Sequence, residues 1–207
     1  MPVHLIASFL ILLSPKFAEE PQASGFTLAW IVMAGMLVAL VFCGVAFLRA
    51  NQGKPLPKNP AWIDLAIPVL SLLGLGVSFY LTYVETQSVQ AICGPIGDCN
   101  AVQNSPYARL FGILPVGLLG MLGYLAILAA WFWGRFRSDG LSKWSAPAVF
   151  GMAVFGTLFS IYLTYLELFV IFAVCIWCIS SAVIITLIML ASLGPATQWL
   201  ALADEAA

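Results

Sequence analysis

The chain has 207 residues, 62% of them hydrophobic and 8% charged, with a formal net charge of -1. Soluble domains are only about half apolar and about a quarter charged. The composition therefore excludes a soluble globular protein and indicates an all-α integral membrane protein in contact with the lipid bilayer. The charge balance excludes the basic surface that nucleic-acid binding requires.

Residues 1–25 read as an N-terminal interfacial or extracytoplasmic segment. Its apolar run at 4–13 is too short to span and lacks the basic flank of a signal peptide. His4, the only histidine, reads as exposed near a chain end. Residues 26–48 form an uncharged first span holding Cys43, alone there and read as a packed thiol. A basic loop follows at 49–62, with Arg49, Lys54 and Lys58. The second span is 63–84, with Asp64 in its first turn and Pro68 as a point of bending.

Residues 85–111 make the long polar loop, which holds Cys93 and Cys99. The third span is expected at 113–133, with Pro115 in its first turn. Gly117, Gly120 and Gly123 share one side of it, which suits close helix packing. Arg135, Arg137 and Lys143 form a second basic loop. From 146 to 193 only Glu167 interrupts an apolar run. A single helix of that length would reach about 72 Å, whereas the hydrocarbon core is about 30 Å thick. The run must double back, and Glu167 marks the expected turn. Spans four and five then cover 147–166 and 169–193, with Gly194-Pro195 ending the last helix and 194–207 as a tail. The layout is thus five spans, the last four covering residues 63–193.

Six of the eight Lys and Arg fall in the two basic loops. The positive-inside rule puts those loops and the C-terminal tail in the cytoplasm. The polar loop and the Glu167 turn then face the oxidising side, where disulfides persist. A short repeat supports this layout. Ser78 to Glu85 matches Ser160 to Glu167 at six of eight positions. Each glutamate precedes the first cysteine of a pair, Cys93 or Cys175, by eight residues.

Four of the five cysteines form two close pairs, Cys93/Cys99 and Cys175/Cys178. Cys175-Ile176-Trp177-Cys178 can close a disulfide within one helical turn, at the outer end of the last helix. A dithiol at membrane depth reaches a lipid-soluble acceptor, and a membrane quinone (ubiquinone or menaquinone) fits the apolar surroundings of Phe169, Phe172 and Trp177. The Cys93/Cys99 loop can present one thiol to an external protein and the other to Cys175, passing electrons by thiol–disulfide exchange. A zinc site split between a wet loop and a membrane helix is a poor tetrahedral frame, so no metal is expected. A non-enzymatic membrane protein with a structural loop disulfide is the competing reading. It leaves Cys175 and Cys178 without a role.

The chain resembles the vitamin K epoxide reductases and their bacterial homologues over residues 63–193. The resemblance rests on Cys93, Gly97-Asp98-Cys99, Ser105, Tyr107, Phe111-Gly112 and the Cys175–Cys178 motif, in that order. It implies a four-helix bundle around a quinone as the catalytic core at 63–193, capped by the loop, with the span at 26–48 as an addition to it. Cys93 and Cys99 would exchange with an extracytoplasmic thioredoxin-fold protein, Cys99 would pass electrons to Cys175, and Cys178 would face the quinone. Ser105, Phe111 and Trp177 would support the loop or contact the quinone. Vertebrate members carry a tyrosine where this chain has Ala182, and an asparagine ahead of the Phe-Gly step where Tyr107, Ala108 and Arg109 stand. These departures favour a quinone-linked thiol oxidase of the bacterial inner membrane over reduction of quinone or vitamin K epoxide as the physiological reaction. Many bacterial members carry a fused thioredoxin-like domain; here a separate partner is expected.

Overall fold

The computed structural model describes residues 20–57, 59–94, 97–110 and 112–205. The apolar run at 4–13 lies outside them. Among the described residues, five helices are long and apolar enough to cross a membrane. They are α1 (Glu20–Ala50), α2 (Ala61–Gln87), α4 (Val116–Phe136), α5 (Ser145–Leu166) and α6 (Ile176–Glu205). The short helix α3 (Cys99–Gln103) lies in the loop between α2 and α4. Phe79 and Phe155 are each 65% exposed and Phe136 75%, which suits lipid and not water. Helix α2 packs on α4, α4 on α5, α5 on α6, and α6 back on α2, closing a four-helix bundle. Helix α1 lies outside that ring, chiefly against α6. The expected architecture of a bundle plus one extra helix is what forms.

Several hydroxyls inside the spans are satisfied locally. Ser71, Ser78, Thr157 and Thr186 each donate a hydroxyl to the carbonyl four residues earlier, at 2.7–2.9 Å, since hydrocarbon offers no other partner. Gly117 lets α4 approach α2: an added Cβ would lie 2.7 Å from the Thr82 nitrogen. Gly120 meets the Ser78 hydroxyl in the same way, whereas nothing stands within 4 Å of a Cβ at Gly123.

Three expected boundaries move, each for a visible reason. Helix α4 begins at Val116, not 113, because Arg109–Leu110 (β1) pairs antiparallel with Leu114–Pro115 (β2) in a tight hairpin. Pro115 therefore precedes the helix instead of sitting in its first turn. The return between α5 and α6 is not at Glu167. The helix runs on through Glu167–Ile171 in the wider π winding, and the chain turns at 172–175. With neither Gly nor Pro available, Phe172 takes the left-handed conformation at φ 56 that normally falls to glycine. Gly194-Pro195 does not end α6, which continues to Glu205 with Pro195 inside it. A proline leaves the carbonyl four residues earlier without its helical donor. Here that carbonyl, of Ala191, accepts the Asn59 side-chain N–H at 2.7 Å. Asn59→Ala would strand it, and we expect a loss of about 1–3 kcal/mol, read as a lower unfolding midpoint in detergent micelles.

Candidate active site

The loop after α2 is fixed at two points. Ahead of Cys93, the Ile92 N–H donates to the Tyr80 hydroxyl at 2.7 Å, and the Trp177 indole N–H donates to the Ile92 carbonyl at 3.0 Å. The Tyr80 and Trp177 rings lie 4.8 Å apart, so α2 and α6 grip the strand together. Ahead of Cys99, the Asp98 N–H donates to the Val174 carbonyl at 3.0 Å. Gly97 allows that approach: its φ is +82, and an added Cβ would run into the Val174 carbonyl oxygen. Asp98 also caps α3, its Oδ1 accepting the Ala101 N–H at 3.0 Å. Asn100 of α3 reaches back and accepts the Ala91 N–H at 2.7 Å.

Cys93 and Cys99 form a disulfide with Cα atoms 6.0 Å apart. Cys99 is fully buried, while Cys93 keeps partial access. Cys175, at the entrance to α6, and Cys178, in its first turn, are free thiols. Cys99 and Cys175 belong to one buried cluster, with Cys93, Cys178, Tyr80 and Trp177 packed against it. Gln103, on the same short helix as Cys99, donates from Nε2 to the Cys175 sulfur at 3.9 Å. The Cys175 sulfur also takes the Cys178 backbone N–H at 3.4 Å. The Cys178 thiol above all, then the N–H groups of Cys178 and Trp177 and the Gln103 amide, hold the Cys175 thiol below its usual range against the opposing effect of burial.

On the far side of this pair lies a cavity of about 410 Å³ between α2, α4, α5 and α6. Its walls are mostly apolar, from residues such as Leu119, Phe155 and Leu163. Its polar groups include Glu85, Gln103, Ser105, Glu167 and Cys178. Deeper in, the Tyr124 hydroxyl meets the Ser181 hydroxyl at 2.9 Å. The size suits a small organic ligand, and Cys178 is the thiol that lines it. Both glutamates of the repeat reach this one cavity. The Glu85 carboxylate accepts the Gly117 N–H at 3.3 Å. Glu167 is 2% exposed. Ligand atoms of Glu167, Cys175 and Cys178 all lie within 4.8 Å of one another. Such a set could hold a thiophilic ion only with both thiols reduced, and the ion would block their exchange.

A family model described as the vitamin K epoxide reductase family matches residues 65–193, more than half of the chain. The chain belongs to that family. It is accordingly a membrane oxidoreductase of the thiol-based, quinone-linked type.

The vitamin K epoxide reductase frame makes the placement of each expected site residue informative. The four cysteines meet at one end of the bundle, opposite the basic loops. Ser105 lines the cavity and donates its hydroxyl to the Val102 carbonyl at 2.7 Å. Trp177 holds the loop and is not among the cavity-lining residues. Phe111 lies outside the described residues. Two polar neighbours of the pair, Gln103 and Glu167, were not among the residues the sequence singled out for the site. Glu167 had a usable signal: it is the one charge in a long apolar run, and an ionisable residue at membrane depth is functional by default. Gln103 had none, because its role depends on the pitch of a five-residue helix.

Proposed function

We propose that this protein oxidises the dithiol of an extracytoplasmic thioredoxin-fold partner and reduces a membrane quinone, so sustaining disulfide formation at a bacterial inner membrane. The observation that carries this reading is the placement of the pairs. Cys99 and Cys175 share one buried cluster, while Cys178 opens onto the cavity. The basic residues Arg49, Lys54, Arg135, Arg137 and Lys143 lie at the opposite ends of the helices, which the positive-inside rule puts in the cytoplasm.

The chemistry runs in three exchanges. A partner thiolate attacks the accessible Cys93 sulfur, Cys99 leaves, and the second partner thiol resolves the mixed disulfide. The Cys99 thiolate then attacks Cys175 in the oxidised inner pair, and Cys178 leaves toward the cavity. Cys93 closes back on Cys99, so the inner pair becomes a dithiol. That dithiol gives two electrons and two protons to the quinone substrate, and the Cys175–Cys178 bond re-forms. A loop disulfide with free Cys175 and Cys178 is the arrangement that immediately precedes the last step.

The test removes both resolving thiols. With Cys43, Cys93 and Cys178 replaced by serine, the remaining Cys99 and Cys175 should form a disulfide in high yield under mild oxidation. Its absence, with the protein folded in lipid, would exclude the relay and leave the loop disulfide as a structural clasp.

A further inference from the structure

Disulfide exchange moves electrons, yet the quinone step must also move protons, inside a mostly apolar site. Glu167 is the group best placed to do so. It is buried, it lines the cavity beside Cys178, and its carboxylate lies within 4.8 Å of the Cys178 sulfur. Among the described residues its Oε2 has no hydrogen-bond partner. A buried carboxylate oxygen ordinarily has one, so an open oxygen on a ligand-sized cavity is free to meet an incoming group. Gln103 Oε1 also lacks a partner among the described residues, while the other polar groups nearby are hydrogen-bonded. The Gln103 amide donates to Cys175 and cannot take up and release a proton. The Tyr124 hydroxyl is engaged by Ser181, and the Glu85 carboxylate by Gly117.

We infer that Glu167 is a catalytic residue, which takes the thiol proton of Cys178 and delivers it to a quinone oxygen as the inner pair is oxidised. The role rests on the relay proposed above and adds to it the path of the proton. The balance is simple. Two S–H bonds break and one S–S bond forms between Cys175 and Cys178. Two electrons and two protons leave, and both quinone carbonyls become hydroxyls. The Glu167 carboxylate lies within 4.8 Å of both sulfurs, so it serves each thiol in turn and ends the cycle in the protonation state in which it began.

The experiment follows single-turnover oxidation of the reduced, full-length protein by a short-chain ubiquinone analogue in lipid nanodiscs. Glu167→Gln keeps the size and an acceptor oxygen but cannot carry a proton. It should slow this step by about 100-fold or more, the usual weight of a positioned acid or base, and Glu167→Asp should recover part of the rate. In the background lacking Cys43, Cys93 and Cys178, Glu167→Gln should leave the Cys99–Cys175 cross-link at full yield. A Gln variant as fast as wild type overturns the inference alone. So does a Gln variant that loses the cross-link along with the rate, since Glu167 would then only hold the turn. Wild-type protein no faster than Cys178→Ala would sink the relay itself and take this inference with it.

Discussion

Replacing Cys178 with alanine should abolish electron delivery to the quinone and leave the first exchange running. Cys178 is the one sulfur of the four that lines the cavity, so no other thiol substitutes for it. Loss of a covalent nucleophile costs on the order of 10³-fold or more in rate. The loop disulfide stands on its own anchors, Tyr80, Trp177 and Val174, none of which involves Cys178. A reduced thioredoxin-fold partner should therefore still open Cys93–Cys99. Cys175, deprived of its neighbour, can also attack Cys99 in the loop disulfide and release Cys93, so in the absence of reduced partner a Cys99–Cys175 disulfide should be detectable. Quinone reduction measured by absorbance, together with mass mapping of the bonded cysteines, checks both halves. Undiminished turnover would end the proposed function.

Gly97→Ala should uncouple the loop from the inner pair. A side chain at φ +82 is strained, and the Val174 carbonyl oxygen occupies the space a Cβ needs. The same oxygen receives the Asp98 N–H, so relief by movement breaks that hydrogen bond as well. Left-handed strain at a non-glycine residue costs about 1–3 kcal/mol. Each 1.4 kcal/mol is about tenfold in population, so transfer from Cys99 to Cys175 should fall roughly 10- to 100-fold. Opening of Cys93–Cys99 by a small reductant such as dithiothreitol should hold or rise as the loop loosens. Gly94→Ala is the control within the same loop: nothing stands within 4 Å of a Cβ there, and both rates should match wild type. Equal behaviour of the two variants would show that the Gly97–Val174 contact does not seat the loop.

The spans and their number were legible because hydrocarbon imposes one rule on every residue: a long apolar run must be a helix and must end where the bilayer ends. The cysteine pairs were legible because their spacing carries chemistry by itself. What escaped the sequence were features set by contacts between distant segments. Pro195 reads as a stop, and only Asn59, far away in the chain, keeps it inside α6. Glu167 reads as a surface turn. The π winding that carries the helix past it has no local signature, since Phe172 fills a position where glycine would have announced it. Trp177 reads as part of the wall around a flat acceptor, yet its indole N–H reaches the loop carbonyl of Ile92.

The three hydrogen bonds that seat the strand before Cys93 and the turn before Cys99 join two amides, a phenol, an indole and two carbonyls, with no sulfur among them. None of these three hydrogen bonds needs a cysteine side chain. The loop therefore need not swing between donor and acceptor as a mobile arm would. The proposed circuit is wired through a stationary contact, in which only sulfur–sulfur bonds change hands.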